Sequence, residues 1–391
     1  MIEIKKISEV CEIIMGQSPP SESYNDKGIG MPFFQGKAEF GELNPKPKWY
    51  CSSPIRVAEV DDILISVRAP VGDVNIANLN CCIGRGLAAI RPNKEKLLAK
   101  FLFYILTVKK RELENLGTGS TFKAISKEDI ANIQIPVPNI DIQQKIVFTL
   151  NKAQELIEKR KAQIEALDQL TQSMYLKMFG DPVINNKNYN VSKLSELCRK
   201  ITDGTHHSPP MVNDGVPYIT AKHLSKGYLD FYSDPTYISL EDHEKIYSRC
   251  NPEKGDVLYI KDGATTGIAG INHYDFEFSM LSSLALIKVE PSKLNNYYLV
   301  YYLNNRGIYN KITSNMSGGA IKRLTIKKIN NIDVVVPPIE LQHKFAELVV
   351  TIEQKKRLFI DSLEELQNNF NSLLQRAFNG ELFTEEKVSN L

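Results

Sequence analysis

Two stretches of the chain carry apolar side chains at steps that alternate between four and three. The first runs Ile146, Leu150, Ala153, Ile157, Arg160, Ile164, Leu167, Thr171, Met174 and Met178. The second runs Phe345, Val349, Ile352, Lys356, Phe359, Leu363, Leu366, Phe370, Leu373 and Ala377. Charged residues fill the positions between them. A heptad pattern sustained this long predicts coiled-coil helices rather than ordinary surface helices. One basic residue interrupts each seam, Arg160 or Lys356, which weakens the seam and helps to fix register. Each helix starts after a proline breaker, Pro136-Val137-Pro138 or Pro337-Pro338, and stops near Gly180 or Gly380. Roughly 37 residues per helix make a rod of roughly 55 Å. The plainer alternatives are two unrelated amphipathic helices, each packed on its own domain, or the seam of a homodimer.

Outside these helices the chain repeats itself. Ile4 to Cys11 matches Val191 to Cys198 in apolar pattern, in a Ser-Glu pair and in the cysteine. Both segments then reach a glycine (Gly16, Gly204) and a Ser-Pro-Pro (Ser18 to Pro20, Ser208 to Pro210). Val60 to Ile65 pairs with Lys254 to Tyr259, and Leu87 to Ile90 with Leu284 to Ile287, each reading as a strand that leaves a turn. Gly119 to Ile125 lines up with Gly318 to Leu324, and the same offset of 199 carries Pro138 onto Pro337. A period of that size is no solenoid. It predicts two copies of one domain, each followed by one helix. The expected fold class is α+β: two similar globular domains of mixed sheet and short helices, joined by two long antiparallel coiled-coil helices with pseudo-two-fold internal symmetry. The expected boundaries are 1–139 for the first domain, 140–180 for its helix, 181–338 for the second domain, and 339–391 for the second helix and tail.

Composition narrows the class without naming a chemistry. Of 391 residues, 42% are hydrophobic and 24% charged, the balance of a soluble globular protein of two or more domains. No run of eighteen apolar residues occurs, so no membrane span is expected. The charged opening Met1 to Lys6 does not read as a signal peptide. The six cysteines (11, 51, 81, 82, 198 and 250) form no C-x-x-C pair and fit reduced thiols in a cytoplasmic protein. The formal net charge of +2 does not announce a nucleic-acid binder, so any basic face must be local.

The order of these pieces, over the whole chain, resembles the specificity subunits of Type I restriction–modification systems. The residues that carry the resemblance are Pro138 to Ile146 with Gln143, and Pro337 to Phe345 with Gln342, where a P-x-x-x-x-Q segment opens each helix. Leu373 to Leu382 and Ser66 to Asp73 are also similar to the family, whereas Lys261 to Gly267 departs from it in the second half. The resemblance implies a non-catalytic subunit without a cofactor, carrying two target recognition domains that each read one half of a split double-stranded DNA target. It implies that the helices act as spacer and as the dock for two methyltransferase (modification) subunits, which motor–nuclease subunits then join. Methyl transfer and ATP-driven cleavage would belong to those partners. Related restriction classes use the same chain type. A stand-alone adenine methyltransferase and a coiled-coil scaffold for protein or sugar are the alternatives from other classes.

Base edges are read by Arg, Lys, Gln and Asn in the major groove. Candidate readers are Gln35 and Lys37 in the first half and Thr220 and Lys222 in the second, polar residues among apolar ones. Their plainer reading is the solvated face of a half-buried strand. Lys123, Lys322 and Arg323 follow glycine turns and suit phosphates, or are ordinary loop charge. Arg68 and Arg85 are further candidates, against a structural role in their loops, and Lys261 is a candidate for DNA as well. His206 and His207 are adjacent in a polar loop and suit DNA better than a metal, since no H-x-x-x-H accompanies them. Ser18-Pro19-Pro20 and Ser208-Pro209-Pro210 lack the following aromatic of an amino-methyltransferase motif, because Ser21 and Met211 stand there. Gly263 to Gly270 lacks the G-K-[ST] of a phosphate loop and reads as a strand turn.

Overall fold

The run Leu87–Pro92 is apolar at consecutive positions because both of its faces are buried. Ala88 and Ile90 point with Ile63 and Ile65 into one core, while Leu87 and Ala89 point with Leu64 into a second. The run Leu284–Val289 does the same, with Ala285 and Ile287 on one side and Leu284 and Leu286 on the other. The computed structural model describes residues 3–117, 124–314 and 323–383. It divides into two units, Met1–Lys161 with Asp361–Leu391, and Ala162–Ile360.

In unit 1 an antiparallel sheet has the order Cys11–Met15, Leu87–Pro92, Ile63–Ser66, Val74–Ile76. A second, five-stranded sheet contains Met31–Phe34 running parallel to Cys81–Ile83. In unit 2 the antiparallel sheet has the same order, Cys198–Asp203, Leu284–Val289, Val257–Ile260, Ala269–Ile271. Its second sheet has three strands, with Val216–Ile219 parallel to Ser279–Met280. A two-stranded ribbon precedes each long helix, Glu3–Lys6 with Gln134–Val137 and Asn190–Lys193 with Asp333–Val336. One half-buried ion pair also recurs at matching positions. Arg91 makes two hydrogen bonds to Asp62, at 3.0 and 2.9 Å, and Lys288 lies 2.8 Å from Asp256. The repeat in the sequence is therefore a repeat of topology.

The long helices are Ile140–Phe179 and Ile339–Phe378, 40 residues each. Within unit 1, Ile142, Ile146 and Leu150 share a core with Leu374 and Ala377, while Ile157 and Lys161 face Gln367 and Phe370. Within unit 2, Tyr175 and Phe179 pack on Phe345, and Lys356 reaches Asp168 at 2.5 Å. Rising numbers meet falling ones, so the helices pair antiparallel in both units. Ile146, Leu150, Ile157, Phe345 and Val349 are buried at the seam, whereas Ile164, Leu167, Met174, Ile352, Phe359, Leu363, Leu366, Phe370 and Leu373 are half-buried. Tyr175, Phe179 and Leu374 lie beside the strict heptad positions and are buried as well.

Those extra residues rest on the domains. Phe378 of the second helix packs on Phe101 of the first domain, with ring centres 5.3 Å apart. Phe179 of the first helix packs on Tyr298 of the second domain at 4.8 Å. Each globular domain is thus closed by the end of the helix that belongs to the other repeat.

The glutamine of the P-x-x-x-x-Q segment fastens each helix at its start. Gln143 is fully buried; its Oε1 accepts the Leu98 N–H at 2.9 Å, and its Nε2 donates to the Lys96 and Pro138 carbonyls. Gln342 accepts the Asn295 N–H at 2.9 Å and donates to the Pro337 carbonyl. Among the described residues no helix is long and apolar enough to cross a membrane.

Candidate nucleic-acid interface

In each unit the parallel strand pair ends in a cluster of loops, and most of the candidate residues fall there. In unit 1, Gly84 N–H donates to the Phe34 carbonyl at 2.8 Å, which lays the turn Gly84-Arg85-Gly86 against Gln35. A side chain at Gly86 would overlap the Gln35 carbonyl, so glycine is required for this approach. The Gly86 carbonyl accepts the Val67 N–H at 2.9 Å, which brings Arg68 to the same place. Gln17 N–H bonds the Ile83 carbonyl at 3.0 Å, and the Arg85 N–H lies 3.4 Å from Ser18 Oγ. Gln35, Arg68 and Arg85 are all exposed, and their side chains have no ion-pair partner among the described residues.

Lys37 is different. Its Nζ is 2.7 Å from Asp73, which Lys110 also holds at 2.7 Å. Burial works against the Asp73 carboxylate, yet hydrogen bonds from Lys110 and then Lys37 keep its pKa below the ordinary value. Lys37 therefore spends part of its charge inside the protein. Gln35 is held from behind by Glu39, whose Oε2 accepts the Gln35 and Gly36 N–H groups at 3.3 and 3.1 Å.

Unit 2 builds the same cluster from other side chains. Leu281 N–H bonds the Ile219 carbonyl at 3.0 Å, and Ser282 N–H bonds the Thr205 carbonyl at 2.8 Å. Thr220 corresponds to Gln35; its N–H donates to His223 Nδ1 at 2.9 Å, and the ring's Nε2 lies 2.9 Å from the Asp234 carbonyl. Lys222 is paired with Asp234 at 2.7 Å. Lys261, a candidate for DNA, is only 2% exposed and lies 3.0 Å from Asp262 and 3.4 Å from Asp203. It organises the cluster from inside. Arg323 is exposed and its Nε is 2.9 Å from Asp262. His206 lies 3.2 Å from Asp203, while His207 is exposed and bonded to Thr205 through its backbone. Lys123 and Lys322 lie outside the described residues.

Sequence reasoning missed Arg249, which donates to the Asp203 and Gly204 carbonyls and lies 3.7 Å from the Asp203 carboxylate. It comes from a segment after the helix Leu240–Tyr247 that has no counterpart in unit 1, so the repeat could not flag it. It also missed Asp73 and Lys110, whose partners are distant in sequence. Gly263 and Gly267 both have positive φ, as turn glycines do. All six cysteines are free, and burial pushes the Cys11, Cys81, Cys198 and Cys250 thiols up to about 12, which leaves them unreactive near neutral pH.

A family model described as the type I restriction modification DNA specificity domain matches residues 2–166 and 186–368. The type I restriction enzyme MjaIX specificity subunit of Methanocaldococcus jannaschii is 26% identical over 98% of this chain and 94% of its own length. The inferred MjaX specificity subunit of the same organism is 55% identical, over 39% of this chain and 37% of that relative. The crystal structure of a type I restriction–modification S subunit from M. genitalium has the same fold, with a TM-score of 0.60 and 19% identity over 96% of each chain.

Proposed function

Because this chain belongs to the type I restriction–modification DNA specificity family, whose specificity subunits are non-catalytic members of the complex, we propose that its two loop clusters read the two halves of an asymmetric, bipartite DNA target. The observation that carries this is the pairing of a repeated scaffold with unlike side chains: Gln35 and Arg85 in unit 1 stand where Thr220 and Ser282 stand in unit 2. Bidentate contacts from glutamine and arginine discriminate bases in the major groove, and a threonine–serine pair prefers others. Two unlike readers require two unlike half-sites. Lys37, Lys222, His206 and His207 serve the rims of these surfaces, and Lys123 and Lys322 the phosphates beside them. Residues 1–139 and 181–338 are the recognition domains in this reading. The helices, with the tail to residue 391, are the spacer and the dock for two modification subunits, which motor–nuclease subunits join. The cytoplasm, where the DNA is, suits six free thiols.

The test is direct. Chain mixed with S-adenosylmethionine and duplex DNA should leave the DNA unmethylated until modification subunits are added, and the methylated motif should be split and asymmetric. Methylation by the chain alone, or a continuous motif, overturns the reading. Inserting one heptad at matched positions in both helices adds roughly 10 Å of helix. At about 3.4 Å per base pair, the unread spacer should lengthen by roughly three base pairs. An unchanged spacer removes the helices' role as ruler.

A further inference from the structure

One backbone bridge recurs at the edge of both loop clusters. In unit 1 it joins Arg68 to Ala124, and in unit 2 it joins Asp262 to Arg323. The neighbouring hydrogen bond is the same in both, from Ile125 N–H to the Val67 carbonyl at 3.1 Å and from Leu324 N–H to the Lys261 carbonyl at 2.7 Å. The two bridges are therefore equivalent positions of the repeat. Each carries one exposed arginine, but on opposite strands. Unit 1 has arginine on the first strand and alanine on the second. Unit 2 has a carboxylate on the first strand and arginine on the second, with the two 2.9 Å apart. Asp262 is itself held at 3.0 Å by the buried Lys261.

We infer that Arg68 and Arg323 are interchangeable deliveries of one guanidinium to one place, and that this place takes a phosphate of the DNA backbone in each half-site. The inference rests on the DNA-reading function proposed above. The choice of phosphate over base follows from the comparison of the two clusters. Side chains that differ between the units, such as Gln35 and Thr220, suit what differs between half-sites, the bases. A charge that recurs although its residue does not suits what the half-sites share, the phosphodiester chain. Guanidinium groups bind phosphate oxygens through paired N–H donors, so a fixed position matters more than the strand that supplies it. Lys261 and Asp262 are positioning residues in this scheme. They hold Arg323 where Arg68 reaches without help.

The experiment moves the arginine across the bridge. The full chain, assembled with its modification subunits, is titrated at several salt concentrations with two duplexes. One carries the motif found methylated in the source cell and the other is scrambled. Arg68→Ala and Arg323→Ala should each weaken both duplexes alike, by roughly fivefold or more, and lower the salt slope by about one. Arg68→Asp should be weaker still. The double variant Arg68→Asp with Ala124→Arg rebuilds the unit 2 arrangement in unit 1. It should return within about twofold of wild type with its salt slope restored. Melting temperatures equal to wild type exclude misfolding, and Arg68→Lys should keep the slope while losing part of the affinity. A double variant no better than Arg68→Asp overturns the equivalence. A changed methylated motif in Arg68→Ala overturns the phosphate assignment. A wild-type complex that shows no preference for the motif duplex overturns the DNA-reading function, and this inference with it.

Discussion

The two units share a four-stranded antiparallel sheet in the same order, yet the sheet beside it has five strands in the first unit and three in the second. The shared part includes everything that fastens a long helix to its domain: the buried glutamines, the ribbons and the aromatic contacts at the helix ends. The divergent part includes the side chains of the loop clusters. One half of each unit is kept constant and holds the helices, and the other half, which the proposed function makes the reading surface, is where the units differ. The Asp62–Arg91 and Asp256–Lys288 pairs lie on the constant side, where Lys replaces Arg without moving the strands.

The largest break in this comparison should come at the helix ends. Phe179 is 4% exposed and touches Tyr175, Tyr298 and Phe345, whereas its counterpart Phe378 is half-buried against Phe101. Phe179→Ala should cost about 3–5 kcal/mol, and Phe378→Ala roughly half of that. Native-state hydrogen exchange should show unit 2 opening first in one variant and unit 1 in the other. Equal losses spread over the whole chain would count against separate clasps.

A smaller effect should follow from the glutamines. Gln143→Ala strands the Leu98 N–H and two carbonyls, at a cost of about 1–3 kcal/mol. Gln342→Ala strands the Asn295 N–H and the Pro337 carbonyl, and its urea midpoint should fall less. A larger shift for Gln342→Ala would show that the two helix starts are not held in the same way.

The smallest effect separates the loop clusters by pH. Burial depresses the His223 imidazole below its ordinary value against the opposing hydrogen bond with the Asp234 carbonyl, and the nearby Lys222 charge adds to the depression. The neutral ring accepts the Thr220 N–H, so its stabilisation is present above about pH 6.5. It is lost as pH falls below that value, because the unfolded chain takes up the proton first. Protection of the Thr220 amide should therefore drop as pH falls below about 6.5. The Gln35 amide, held by Glu39 rather than an imidazole, is the control, and a parallel drop there would remove the assignment to His223.

Much of the fold was legible because it rests on periodicity. The alternation of four and three placed both helices, and the repeated strand runs placed the two central strands of each antiparallel sheet, though not its strand order or direction. The sequence could not show that Tyr175, Phe179 and Leu374 would be buried beside the seam, since that depends on a domain meeting the helix end. Strands of two or three residues, such as Tyr24–Asn25 and Val57–Ala58, were equally silent, because only their neighbours make them strands. At the candidate interface, Gln35, Arg68 and Arg85 could be picked by type and position. Lys261 could be picked too, but its burial between two carboxylates was invisible. A lysine after an apolar strand looks the same on paper whether it faces solvent or the Asp203 carboxylate.

The contact of Phe101 with Phe378 also sets an order of events in the cell. A ribosome finishes the first domain's sequence long before it makes the helix end that covers that domain's core, at about 5–20 residues per second. For that interval Phe101 and its neighbours have no lid, whereas the helix end that closes the second domain is synthesised before the domain itself. A message truncated within the second repeat would yield a first domain that stays open, a ready target for chaperones and proteases.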